Sequence, residues 1–582
     1  MKFILYKEDA VNKRILKPVW MILVAAFLMI VTTAWGAPPN SVDPGVVRKS
    51  LEEKKFRVPA PMPEVTIKRA GGESIKGGAG VKFELEDVAF EGNRVIDSRD
   101  LFNVVRPWIY KKISVSTLTE IADKITNYYI DQGYILCRAY VPPQEIKDGR
   151  VLIKIREGAL GRVIVTGNQR YKKELVKRVM DIVYKRGAVK KSDLERALLL
   201  LMDYPAMTVK ADLMAGERPG TTDIVVHVSE SKAWGLGADY NNFGSKYVAP
   251  HRYGLKADLF NPFGYGDEVR TNFVMGGADE LYYGRAEYTF PINYSGTRVG
   301  LSYSLSHSEP GNELRPLDYN GRSEVRSAWI SHPVIRSRNL NWWVNGGLDY
   351  NTTRQRMTGK QIYKDNLVNI RAGTEVNWID NWYGNTSIIL DFTQGIKNDK
   401  IESTLDGTGK FFKAELGFQR YQLVETSRYK IFPYDSNLIF SLHGQYSPDR
   451  LPSSQRISIG GPGTVRGYEI GEYLGDSGAY GTVEFRLPVW KPDCGWMMPV
   501  ASSAVVELAE FVDYGYVAVN DSIVNSEIHN ASIASAGFGL RVRLDPYMMM
   551  KLDWANHIAG RDPDRNHNNS LGAVTVQFSV FY

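Results

Sequence analysis

The sequence predicts a closed transmembrane β-barrel of about sixteen antiparallel strands, preceded by two β-α-α-β-β units and a short N-terminal helix. Three observations predict it. From Ala233 onward, segments of about ten residues alternate apolar and polar side chains between turns rich in Asn, Gly, Asp and Pro. Upstream, "VAFEGN" from Val88 and "VIVTGN" from Val163 open two stretches of the same element order, offset by 75 residues. Ahead of both, a basic segment runs into the apolar stretch "MILVAAFLMIVTTAWGA", Met21 to Ala37.

That leader has the form of a secretory signal peptide over residues 1–36, with Ala34 and Gly36 as the small residues before the cut. An uncleaved anchor is the alternative, but the apolar core is short for a span and "APPNS" follows at once. The whole chain of 582 residues carries a net charge of +7. Residues 1–36 hold five basic and two acidic residues, a net +3, so +4 remains for the rest. That balance gives no footing for a nucleic-acid partner. The two cysteines, Cys137 and Cys494, are too far apart in sequence to read as a disulfide framework and are expected to be isolated structural thiols.

Residues 37–80 open with an amphipathic helix candidate, Asp43 to Phe56, whose charged side holds Arg48, Glu52, Glu53 and Lys55. "RVPAPMP" and "RAGGESIKGGAG" follow; such runs cannot pack and read as a flexible tether. A helix on a tether suits a mobile plug, and a disordered tail is the plainer alternative.

The two repeated units span 81–158 and 159–231. In the first, Thr117 and Glu120 have capping-box spacing, Leu118, Ile121, Ala122 and Ile125 share one helical face, and Gly133 is the stop. In the second, Ser192 and Glu195 stand in the same relation ahead of Leu194, Ala197, Leu198 and Leu201, and Pro205 ends the run. Each unit closes with two strand patterns, "YILCRAYV" and "RVLIKIRE", then "TVKADLMA" and "TDIVVHVSE".

Residues 232–582 hold the barrel. In "RAEYTF", Arg285, Glu287 and Thr289 oppose Ala286, Tyr288 and Phe290; in "VEFRL", Glu484 and Arg486 oppose Val483, Phe485 and Leu487. The pattern continues for roughly 350 residues without a helical break, too long for one soluble sandwich. Polar faces that carry charge in segment after segment suit a lumen, and apolar faces suit lipid. Aromatic-rich stretches such as "NWWVNGGLDY" and "VNWIDNWYG" are expected at the membrane interfaces.

No enzyme motif is found. The eight histidines are scattered, "GTGKF" at Gly407 lacks P-loop spacing, and neither a C-x-x-C pair nor a G-x-S-x-G elbow occurs. The expectation is no catalytic residue, no metal and no cofactor.

Two motifs remain. "GGPGTVRGY" holds Val465, Arg466, Gly467 and Tyr468 in a loop, and "FVDYGYV" places Phe511, Asp513 and Gly515 on one face of a strand. With the double β-α-α-β-β repeat, and with "YVPPQEIKDGRVLIKIREG" closing the first unit at Tyr140 to Gly158, the mature chain resembles the two-partner secretion transporters (TpsB proteins) of the BamA-related superfamily. The match departs at "DYPAMTV", where the family tends to have a leucine-proline-glycine turn. The resemblance implies that the repeats are periplasmic POTRA domains and that the barrel lies in the outer membrane. It further implies a loop folded into the lumen so that Arg466 meets Asp513, and a C-terminal assembly signal at Phe578, Val580 and Tyr582. The implied partners are a large, β-rich exoprotein with an N-terminal secretion domain, the lipid bilayer, and the barrel assembly machinery. An insertase of the BamA type is the rival reading, and a passive porin the third.

Overall fold

The computed structural model describes residues 39–52, 56–57, 63–67, 82–184, 188–218, 221–396, 409–428, 433–492, 503–520, 529–560 and 572–582. The leader, Glu53, Lys55 and Cys494 lie outside these residues.

A short helix α1, Pro44–Leu51, comes first. It starts where it does because the Asp43 carboxylate accepts from the amides of Gly45 and Val46, at 2.7 and 3.1 Å, and Pro44 fills the first helical position. The helix stops at Leu51, well short of the expected Phe56. Phe56 and Arg57 instead continue without helical structure along the inner barrel wall.

The tether is not structureless throughout. Val65–Ile67 forms a strand, β1.

The first unit contains β2 (Lys82–Leu85), β3 (Asp87–Glu91), α2 (Ser98–Val105), β4 (Lys111–Ser114), α3 (Val115–Asp131), β5 (Arg138–Tyr140) and β6 (Arg150–Arg156). The second contains β7 (Ala159–Thr166), α4 (Lys173–Tyr184), α5 (Lys191–Met202), β8 (Met207–Ala215) and β9 (Thr221–Glu230). Their sheets run β3-β6-β5 and β7-β9-β8, with β1 added parallel to the edge strand β8. The repeat is therefore the same in space as in sequence, except that β2 and β4 form an extra two-stranded ribbon in the first unit.

The Gly-Asn pair has a physical reason. Gly92 and Gly167 both adopt positive φ, and a Cβ on either would meet a backbone oxygen, of Ile155 at 2.3 Å or Val228 at 2.4 Å. After each pair, a glutamate gathers the free amides of the turn. Glu157 accepts from Arg94 and Val95, and Glu230 from Gln169, Arg170 and Tyr171. Each helix pair then covers its sheet, burying Leu118, Ile121, Ala122 and Ile125 in one core and Leu194, Ala197, Leu198 and Leu201 in the other.

Neither expected capping box forms. Strand β4 runs directly into α3, so Ser114 becomes the cap and accepts from Thr117 N at 3.3 Å. Helix α5 has no side-chain cap; its first amide, of Lys191, donates to the carbonyl of Gly133 in the first unit at 2.9 Å. The cap comes from tertiary structure. Cys137 is a buried free thiol, and burial pushes its pKa up to about 12.

Sixteen antiparallel strands form the closed barrel, from Trp234–Asn241 to Ala573–Phe581, which pair with each other to close it. Short turns occupy the end nearest the repeated units. The second unit docks there: Asp203 pairs with Arg336 at 2.7 Å, and Arg196 donates to the carbonyls of Pro333 and Val334.

Alternation holds along the strands. Val512, Tyr514 and Tyr516 point outward and are about half exposed, while Phe511 and Asp513 are buried on the lumen side. Trp343 departs from the expected aromatic girdle. It faces inward, 8% exposed, and Arg57 lies 4.6 Å over its ring, so a cation rather than lipid holds it. Its neighbour Trp342 faces outward.

Candidate functional site

The far end of the barrel carries a long loop between the strands Ser436–Tyr446 and Ser477–Trp490, and this loop folds into the lumen. Its stem is a two-stranded ribbon, Ile457–Ile459 against Tyr473–Gly475. Asp476, fully buried, ties the stem base by accepting from Leu451 N, Arg456 Nε and Asn520 N at 2.8, 3.1 and 2.8 Å.

The tip brings Arg466 to the wall. Its Nε and Nη2 donate to the two carboxylate oxygens of Asp513, both at 2.7 Å, and its amide donates to the same carboxylate at 3.1 Å. Nη1 donates to Glu484 at 2.8 Å, Nη2 also reaches Thr482 at 2.9 Å, and Asp553 is 3.4 Å away. The guanidinium carbon sits 3.3 Å from the centroid of the Phe511 ring. Arg466 is thus a planar fork matched to a carboxylate, stacked on an aromatic face and 4% exposed.

The neighbouring motif residues make that approach possible. Val465 is fully buried against Gly515, where a Cβ would come within 2.9 Å of the valine methyl. Gly467 has φ +93°, and His557 donates to its carbonyl at 2.6 Å. The Tyr468 ring stacks on His557 with centroids 4.0 Å apart, and its hydroxyl donates to the carbonyls of Ala534 and Ala559. The C-terminal residues Phe578, Val580 and Tyr582 are elsewhere, on the lipid side of the closing strand. Lys232 stands 3.4 Å over the Tyr582 ring.

Sequence reasoning named one pair, but the structure holds a cluster. Arg486, Arg541 and Lys551 join Arg466 around Glu484, Asp513 and Asp553. The signal was present in the alternation: Glu484 and Arg486 read as lumen-facing charges in "VEFRL", and Asp553 follows the same rule in "KLDWAN". What the alternation lacks is the lateral register that brings these strands together.

Helix α1 lies in the same lumen, against the loop. Lys49 donates to the carbonyl of Arg456 at 2.7 Å, Asn40 to that of Glu472 at 3.3 Å, and Val46 packs on Gly471. On the wall side, Tyr363 donates to Asp43 at 2.9 Å, and Val42 and Val47 pack with Tyr247, Val248, Ala249 and Leu281. Beyond the helix, Phe56 lies against Gly417 and His443, and Arg57 pairs with Glu375 at 3.1 Å. From there the chain reaches β1 on the sheet of the second unit. The described N-terminal residues are therefore found from the far half of the lumen to the side of the repeated units.

Comparison with known proteins places this geometry. The profile of the haemolysin secretion/activation proteins ShlB/FhaC/HecB matches residues 220–542, more than half of the chain. The chain belongs to that family. A ShlB-type POTRA profile matches residues 83–158. The heme/hemopexin transporter protein HuxB of Haemophilus influenzae is 25% identical over 79% of this chain and 81% of its own length. The outer membrane transporter CdiB of Dickeya dadantii is 22% identical over 75% of this chain and 76% of its own. The solved structure of CdiB from Escherichia coli superimposes with a TM-score of 0.68 at 18% identity, covering 88% of this chain and 93% of that one. As a haemolysin secretion/activation protein, the chain is an outer-membrane transporter of the two-partner secretion class, with its POTRA end in the periplasm. Family membership favours export over the insertase reading.

Proposed function

We propose that this transporter takes an unfolded, β-rich exoprotein by its N-terminal secretion domain and passes it through the barrel lumen as an extended chain. One observation carries the reading: the protein's own N-terminal segment already occupies that route, with α1 in the far half, Arg57 against Trp343, and β1 on a POTRA sheet edge. A lumen that holds one polypeptide against charged and aromatic side chains has the chemistry to hold another.

Units 81–158 and 159–231 act as the capture module. Their sheets end in strands with unpaired backbone groups, which suit extended segments of many sequences. The loop tip and α1 are the obstacles that must move. Val465, Arg466, Gly467 and Tyr468 with Phe511, Asp513 and Gly515 fix the loop at rest. The outward residues Phe578, Val580 and Tyr582 serve barrel assembly and contact with the bilayer. No chemical step on the client is required, and client folding outside prevents return.

A photo-crosslinking residue placed at Trp343 should capture a stalled client, and one placed at the adjacent, lipid-facing Trp342 should not. Equal capture at both positions would remove the lumen from the route. The fragment 81–231 should bind an unfolded N-terminal client segment and ignore the folded passenger.

A further inference from the structure

Among the described residues, the seat of helix α1 contains a cation without a counterion. Arg252 begins a barrel strand at the far end, points into the lumen and is 2% exposed. Its Nη1 donates to the Ser50 hydroxyl of the helix at 3.1 Å, and among the described residues its Nε has no hydrogen-bond partner. Described carboxylates on adjacent segments are engaged elsewhere. Asp239 pairs with Lys256, Glu52 with Arg48, and Glu280 accepts from the amide of Ala249. Among the described residues Arg252 makes no ion pair. The Ser50 hydroxyl in turn donates to Val47 O at 2.7 Å, so it is a shared, neutral acceptor.

Two other buried arginines of the lumen are handled differently. Arg466 has three carboxylates around it, and Arg57 has Glu375. Burial of a guanidinium with neither counterion nor full hydrogen bonding costs free energy that an open, wet lumen would not impose. The seated helix touches Arg252 through Ser50, which ties that cost to the plugged state.

We infer that Arg252 is a release element for helix α1: the seated helix desolvates it without neutralising it, and withdrawal returns it to water. The apolar contacts of Val42 and Val47 favour seating, and Arg252 opposes it, which keeps the plugged state shallow. This rests on the proposal that α1 leaves the lumen during transport.

The test uses the full-length protein in planar lipid bilayers, reading the frequency of channel opening. Arg252→Gln keeps a donor for Ser50 and removes the charge; openings should become rarer by about tenfold, the change expected for 1.4 kcal/mol. Ser50→Asp supplies the missing carboxylate and should also make openings rarer, with slower export of the partner. In the Arg252→Gln background, the same aspartate has no cation to meet and should restore openings. More frequent openings in Arg252→Gln, or a Ser50→Asp effect of equal size in both backgrounds, overturns the inference. A chain lacking residues 37–80 separates the two levels of the argument. If that chain conducts no better than the intact one, the plug itself has been misread; if it conducts freely while Arg252→Gln opens normally, only the role of Arg252 fails.

Discussion

Two pieces of this chain lie in the same lumen and touch each other, yet they are held by opposite means. The loop tip is fixed by charge: a bidentate guanidinium-carboxylate pair, two further carboxylates and an aromatic face, all buried. The eight-residue helix α1 and its cap are held by a small apolar patch, hydrogen bonds from Lys49 and Tyr363, and a seat containing an arginine that makes no ion pair among the described residues. Removing either partner from the first arrangement leaves charge stranded in a confined space. Removing the helix from the second leaves a wall that water can cover. The contrast separates a latch, whose setting must be defined, from a stopper, whose departure must be easy.

The sharpest way to break the comparison is at the latch. Arg466→Ala and Asp513→Ala should each reduce secretion to about a tenth or less, while barrel abundance and heat-modifiability persist. The barrel itself is held by ladders of backbone hydrogen bonds and does not depend on one loop contact. Arg466→Lys should rescue poorly, because an ammonium cannot form the fork on Asp513 or stack on Phe511 in the same way. The double substitution should be no worse than either single one, since both remove the same interaction. Additive losses in a secretion assay would show that the two residues act separately.

The stopper should respond differently. Deleting residues 37–80 should raise ion conductance several-fold while export continues, because the deletion removes α1 and β1 but none of the Arg466 cluster. If conductance is unchanged, the two elements are not the latch and stopper described here.

The latch was legible through the family resemblance, whose motifs name its residues, while alternation set the faces of those on the strand. "FVDYGYV" alternates, so Phe511, Asp513 and Gly515 had to share a side. The stopper was only half legible. Asp43-Pro44 announced the helix start, but its end at Leu51 and the burial of its valines depend on a wall contributed by residues some two hundred positions later. Strand β1 was invisible. "VTI" between Pro-rich and Gly-rich runs is too short to signal a strand, and it becomes one because β8 offers an unpaired edge. Trp343 shows the same limit. Its faces were set by alternation, yet "NWW" alone does not say which tryptophan meets lipid.

The periplasmic units sharpen the comparison at smaller scale, since each also uses a glutamate carboxylate to define a loop. The Glu230 side chain is 2% exposed. Burial opposes its ionisation, but the amides of Gln169, Tyr171 and Arg170 and the Arg170 guanidinium outweigh it and hold its pKa below the ordinary range. A depressed folded-state pKa means that the stabilisation is complete above the unfolded glutamate value, near 4.3, and fades as pH falls through the folded value. Glu230→Gln in the fragment 81–231 should therefore cost about 1.5–3 kcal/mol by urea denaturation at neutral pH. The deficit should shrink steadily below the ordinary glutamate range. A deficit that stays constant into acid would assign the role of Glu230 to packing instead of charge.

The smallest expected effect lies at the turn where this sequence departs from its family. Ala206 follows Pro205 between helix α5 and strand β8, and it adopts φ +57°. A left-handed residue with a Cβ costs roughly 1–2 kcal/mol relative to the right-handed region, and glycine escapes that cost at the expense of greater freedom when unfolded. The surroundings insist on the conformation all the same. The carbonyl of Pro205 accepts from the buried Tyr171 hydroxyl at 2.7 Å, and the carbonyl of Ala206 accepts from Ser231 N at 3.0 Å, just before the barrel begins. Neither bond uses the alanine side chain, so Ala206→Gly should relieve the strain without loosening the turn. The fragment 81–231 should gain about 0.5–1 kcal/mol in the same urea titration, and secretion by the full chain should be unchanged. A loss of stability would mean that the alanine methyl contributes packing worth more than its strain. In that case the departure at this turn, which also sits beside the Asp203–Arg336 contact with the barrel, helps to set how the POTRA end meets the lumen.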